Sequence, residues 1–142
     1  PGSKLGVMLE INCETDFVAK TDAFQSLSKD IAMHIAAAAP VSVSKDEISD
    51  SVLSKEREIY TEQAKASGKP DEIVNKMVEG RMDKFCKENA LLEQQFVKDP
   101  NTTVKEVLTD TIAKLGENIS IARFMRFQLG ETITTSNKED SE

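Results

Sequence analysis

The 142 residues include no tryptophan, one tyrosine, one histidine, two cysteines and four prolines. Cys13 and Cys86 form no CxxC pair and have no Cys/His ligand spacing with His34, which excludes a zinc site or a dithiol redox motif. They read as reduced thiols of a cytoplasm-like compartment, with a single chain-to-chain disulfide as the alternative. No apolar run approaches the roughly 20 residues that a membrane-spanning helix requires, and the first residues do not read as a signal peptide. Basic residues are short in supply, 18 against 25 acidic, for a net charge of −7. Phosphate binding rests on clustered Lys and Arg, so this balance argues against a nucleic-acid surface and suits a protein that meets other proteins. The one interleaving of basic and aromatic residues, Arg123-Phe124-Met125-Arg126-Phe127, reads as a strand. A phosphate-cradling GxxxxGK[ST] loop and a metal-loop spacing of acidic residues are both missing. A thiol triad of Cys13, His34 and Asp16 has nothing to bring it together, so neither an active site nor a metal or cofactor site is expected.

What is present is a folding sequence: 39% hydrophobic and 30% charged residues, enough for one domain with a real core. Leu5, Val7, Leu9, Ile11 and Cys13 alternate with Gly6, Met8, Glu10, Asn12 and Glu14, the period of two of a half-buried strand. Pro1-Gly2-Ser3-Lys4 is turn chemistry directly before it, which predicts that a further strand precedes in a hairpin. A first helix is expected over Asp22 to Ala39, with Asp22 and Gln25 as capping box, Phe24, Leu27, Ile31 and Ile35 facing the core, and His34 at the surface. A polar second helix runs to Ala66, with Ile48, Val52, Ile59 and Gln63 as its thin apolar stripe. Ser67-Gly68-Lys69-Pro70 punctuates it, and a third helix follows from Pro70 to about Glu88. Gly80 inside that helix suggests a close backbone approach. Residues 90–98 read as ambiguous or extended before the turn signal Asp99-Pro100-Asn101. A fourth helix, Thr103 to Leu115, opens on a Thr103/Glu106 capping box and stops at Gly116. Ile119, Ile121, Met125, Phe127 and Leu129 then alternate as a second strand, with Arg123 as the exception. The expected fold is α+β: strands near residues 5–13 and 119–129, pairing antiparallel, against about four helices. Two strands make a meagre sheet, so a third strand or a second copy of the chain is expected on it. Residues 132–142 read as a polar tail.

The strand-to-helix corner Thr15-Asp16-Phe17-Val18 has two readings. A rigid corner is where scaffolds present binding groups, here Asp16 and Phe17. A Phe at this place is also often a hydrophobic staple onto the helix that follows, with the Asp as a turn or cap residue.

The residues from Gly6 to Lys20, GVMLEINCETDFVAK, closely resemble the signature of the bacterial-type elongation factor Ts family. The resemblance continues through Asp30–Ala37, Ser67–Pro70, Lys76–Met82, Gly116–Ile119 and Arg126–Glu131, which spans nearly the whole chain. It implies the family's core, or dimerisation, domain over residues 1–131, in a short single-core form without the preceding helical domain. It implies a guanine-nucleotide exchange factor and not an enzyme. The partner would be elongation factor Tu, GDP-bound or nucleotide-free, with homodimerisation and no direct nucleic-acid or membrane contact. Thr15, Asp16, Phe17 and Val18 would carry the contact, the Asp-Phe pair acting as a wedge that disturbs the Mg²⁺ and phosphate site, with Leu115 and Gly116 as a second region. The resemblance places such a protein in a bacterial cytoplasm or an organelle interior, the chloroplast stroma included. The alternative is a docking or structural core of a larger polyprotein or a ribosome-associated form.

Overall fold

The computed structural model describes residues 4–131; the opening turn and the expected polar tail lie outside the described residues. Strand β1 (Leu5–Asn12) leads into a single helical turn, α1 (Asp16–Ala19), and the long helix α2 (Asp22–Ala38). A short 3₁₀ turn precedes α3 (Asp50–Lys65), which with α4 (Asp71–Asn89) forms a helical hairpin. The strands β2 (Gln95–Phe96) and β3 (Asp99–Thr103) form a small antiparallel hairpin, followed by α5 (Val104–Leu115) and β4 (Ser120–Gln128). This is the expected α+β architecture, with β1 and β4 from the two ends paired antiparallel.

One core lies between the sheet, α2 and α5. Val18, Phe24, Leu27, Ile31, Ile35, Leu91, Val104, Ile119 and Ile121 are buried there, and Val7, Leu9 and Ile11 pack on it from the predicted face of β1. The α3–α4 hairpin has a separate core of Ala64, Val74, Val78 and Met82, with Leu53, Tyr60 and Met77 at its margin. Arg57 reaches Glu79 across this hairpin. The hydrogen bond from that guanidinium holds the Glu79 carboxyl below its usual range, so the pair's contribution is lost as pH falls through the lowered value. Both groups stand in solvent, and the contribution is small.

The structure corrects several expectations. Ala122 is an extra residue in β4: Glu10 pairs with Arg123 but Ile11 pairs with Ile121. Such a bulge reverses the side-chain phase. Beyond it Phe124 and Arg126 turn inward, whereas Met125 and Phe127 join Met8 on the outer face, 56%, 48% and 71% exposed. An inward Arg is accommodated because its Nε and Nη2 both donate to the Ala36 carbonyl at 3.3 and 3.2 Å, near the carbonyl-rich end of α2. Helix α2 is capped by Thr21, not Asp22, since the Thr21 hydroxyl accepts from the Phe24 N–H at 3.2 Å. Helix α3 faces inward through Leu53, Tyr60 and Ala64, leaving Val52 and Ile59 exposed. The turn signal at Asp99 falls inside β3; the hairpin turns one or two residues earlier, at Val97 and Lys98. His34 is fully buried and not at the surface.

Gly80 allows no close approach: a Cβ there would meet nothing within 4 Å. The residue therefore costs the helix its conformational entropy without a packing return. Gly80→Ala is expected to raise stability by about 0.5–1 kcal/mol, read as a higher urea midpoint at unchanged slope.

Candidate functional site

The corner is built from local bonds outward. Thr15 is extended (φ −134°, ψ 155°), and its Oγ1 accepts from the Val18 N–H at 3.4 Å, capping α1. At the far end of α1 the Thr21 hydroxyl donates to the Val18 carbonyl at 2.7 Å, and the Gln25 amide donates to the Ala19 carbonyl at 2.7 Å. A helix of one turn leaves nearly all its backbone groups without internal partners, so these side chains supply what length cannot. Val18 alone of this turn is buried, in the core beside Phe24 and Leu27.

Phe17 points the other way, 86% exposed. That exposure excludes the hydrophobic-staple reading, and Thr15, not Asp16, is the cap residue. Asp16 occupies the first position of α1, where a carboxylate is favoured by the helix dipole, and it is exposed as well.

A second segment closes on this corner. Gly116 ends α5 in the left-handed region (φ 72°, ψ 14°), its N–H donating to the Ile112 carbonyl at 2.9 Å. The next residue, Glu117, accepts from the N–H of Glu14 at 3.2 Å, the N–H of Thr15 at 3.0 Å and the Thr15 hydroxyl at 2.6 Å. The loop holding Leu115 and Gly116 is thus joined to the corner holding Thr15, Asp16, Phe17 and Val18. Leu115 is half-buried and Gly116 is exposed. Glu117 lies in the Gly116–Ile119 segment that carries the resemblance, but sequence reasoning gave a role only to Leu115 and Gly116 beside it.

The thiol triad is not assembled. The Cys13 thiol donates to the Thr15 carbonyl at 3.2 Å, while both ring nitrogens of His34 are occupied by Gln94 and Val97. Among the described residues, no group of three His, Cys, Asp or Glu side chains could hold a metal ion, and no helix is long and apolar enough to cross a membrane. An open cavity of about 570 Å³ beside Lys84, Lys87, Gln95 and Thr103 lies outside the corner and mixes lysines with glutamates.

Comparison with known proteins gives one answer along the chain. The family described as Elongation factor TS matches residues 3–131. Elongation factor Ts of Thermoanaerobacter sp. (strain X514) is 55% identical over 138 residues, 97% of this chain and 68% of that protein. The protein of the same name from Geotalea daltonii is 58% identical over 130 residues, 92% of this chain and 60% of the relative. That of Carboxydothermus hydrogenoformans is 56% identical over 138 residues, 97% and 64% of the two chains. The chain spans 60–68% of the length of these relatives.

Proposed function

The chain belongs to the elongation factor Ts family, and from that premise we propose that it is a guanine-nucleotide exchange factor for elongation factor Tu, with residues 1–131 as the core domain. The observation that carries the reading is Phe17: a large apolar side chain, 86% exposed, on a turn capped at both ends and anchored by a buried neighbour. Exposed aromatics on rigid supports are the residues from which interfaces draw most of their energy. Within the motif the roles divide: Thr15 and Val18 hold the turn, and Asp16 and Phe17 face the partner. Leu115 and Gly116 add a second contact from the adjoining loop.

The mechanism is linkage, without a bond made or broken in the factor. A protein that binds the nucleotide-free state more tightly than the GDP state weakens GDP by the same coupling free energy. The Phe17 ring entering between helices of the G domain supplies that preference, because the pocket it needs opens where the Mg²⁺ and phosphate contacts are given up. The test is release of a fluorescent GDP analogue from elongation factor Tu in the presence of this chain. A saturable acceleration is expected; binding without acceleration would favour the docking-core alternative. The site of action is wherever elongation factor Tu works, a bacterial cytoplasm or an organelle interior.

The factor acts as a homodimer in this reading, with the outer face of the β1–β4 sheet as the contact. Met8 stands opposite Met125 and Gly6 opposite Phe127, which makes a continuous apolar patch on a two-stranded sheet. Met125→Glu would place an unpaired carboxylate there. It is expected to weaken dimerisation by at least about a hundredfold, seen as a monomer in sedimentation velocity; a dimer that survives the change would remove this face from the contact.

A further inference from the structure

We propose that Glu117 is the positioning residue of the exchange corner: its carboxylate fixes Thr15 and thereby holds Phe17 in the conformation that enters the partner. The inference rests on the wedge reading above and assigns a role to Glu117, which follows Leu115 and Gly116 in the matched segment but has no role in that reading. Three of the roughly four lone-pair sites of a carboxylate are used here, on the N–H groups of Glu14 and Thr15 and on the Thr15 hydroxyl. The last of these sets a direction. Because the Thr15 hydroxyl proton is committed to Glu117 at 2.6 Å, the oxygen's lone pairs are left for the Val18 N–H, which caps α1. A four-residue helix lies far below the length at which helices persist alone, so its population depends on that cap. Gly116 contributes from the other side: with φ at +72° it makes the turn that delivers Glu117 to the corner.

Glu117 is half-buried, and all its hydrogen bonds go to Glu14 and Thr15 rather than to the core beneath. Its loss should therefore leave the fold intact and disorder the corner. When the presented conformer falls to about a tenth of the population, association slows by the same factor, about tenfold. Dissociation changes little, since in the complex the partner holds Phe17. A direct contact would instead be felt mainly in dissociation.

The experiment measures association with, and dissociation from, nucleotide-free elongation factor Tu for the unaltered chain, Glu117→Ala, Glu117→Gln, Phe17→Ala and the Phe17→Ala/Glu117→Ala double variant. Amide hydrogen exchange is followed in each free chain. Glu117→Ala is expected to associate about tenfold more slowly, with dissociation within about twofold. Glu117→Gln, whose amide oxygen still accepts from the two backbone N–H groups, should recover most of the rate. In the Phe17→Ala background the Glu117 change should add nothing. An equal loss in both backgrounds, or a loss confined to dissociation, would overturn the positioning role. Unaltered amide exchange at Glu14, Thr15 and Val18 in Glu117→Ala would overturn the clamp alone. Unchanged binding in Phe17→Ala would overturn the wedge reading and the proposal with it.

Discussion

Phe17→Ala is expected to lower the acceleration of GDP release from elongation factor Tu by at least about thirtyfold, while leaving the melting temperature of the free chain unchanged within about one degree. The first number follows from what a central aromatic anchor loses on truncation, about 2 kcal/mol or more, and each 1.4 kcal/mol is tenfold. The second follows from burial: at 86% exposure the ring contributes almost nothing to the free chain's core, so its removal costs no packing. The two readouts together separate function from folding. Val18→Ala, one residue on, should do the reverse in kind, because Val18 is the buried anchor of the same turn and its truncation destabilises the chain before it touches any partner. Asp16→Ala should fall between, losing a charged contact and a favourable first-turn carboxylate but no anchor. If Phe17→Ala released GDP as fast as the unaltered chain, the energy that displaces nucleotide would have to come from elsewhere in the contact, with Leu115 and Gly116 the first residues to replace.

How much of this was legible in the residues differs from element to element. The half-buried alternation of β1 was readable because one face meets a core and nothing interrupts the period from Leu5 to Asn12. The Thr103/Glu106 capping box and the Gly116 stop were readable because their bonds are local, and both are made as expected. Strand β4 was readable as a strand but not as to face. The bulge at Ala122 is a property of its pairing with β1, and no periodicity within β4 marks which residue is the extra one. Arg123, the apparent exception in the stripe, was the trace of it: at Arg123 the phase has already reversed, and its guanidinium meets Glu10 on the outer face at 3.2 Å. Gly80 misled for a different reason, since an interior glycine looks the same in sequence whether or not a neighbour lies over it. At the corner the motif proposed to make the contact was visible from resemblance, but the outward direction of Phe17 and the closure by Glu117 depend on segments about a hundred positions apart.

His34→Ala is expected to cost the chain about 3 kcal/mol or more of stability, the largest effect of any polar substitution considered. The residue was expected at the surface because of its polarity, yet its position, three after Ile31 and one before Ile35, lies on the buried stripe of α2. What permits a polar ring there is complete satisfaction. The Val97 N–H donates to Nδ1 at 3.2 Å, which leaves the proton on Nε2 to donate to the Gln94 Oε1 at 2.8 Å. The Gln94 amide donates in turn to the Glu88 carbonyl at 2.7 Å, and the Phe96 ring stacks on the imidazole with centroids 6.0 Å apart. The Gln94 backbone carbonyl accepts the Val104 N–H at 3.0 Å, so the same residue seats the start of α5 through a bond that a side-chain change leaves in place. Removing the imidazole leaves a cavity and an unpaired buried amide oxygen on Gln94, and takes its acceptor from the N–H of the exposed Val97. Gln94→Ala should cost a comparable amount, and the double substitution less than the sum by about 1 kcal/mol or more, because either change alone already orphans the other's partner. Urea denaturation of the four chains measures this coupling directly. Strict additivity would mean that His34 and Gln94 stabilise the core independently, and that the hydrogen bond between them is not what ties α2 to the segment from which α5, and hence Leu115, Gly116 and Glu117, is launched.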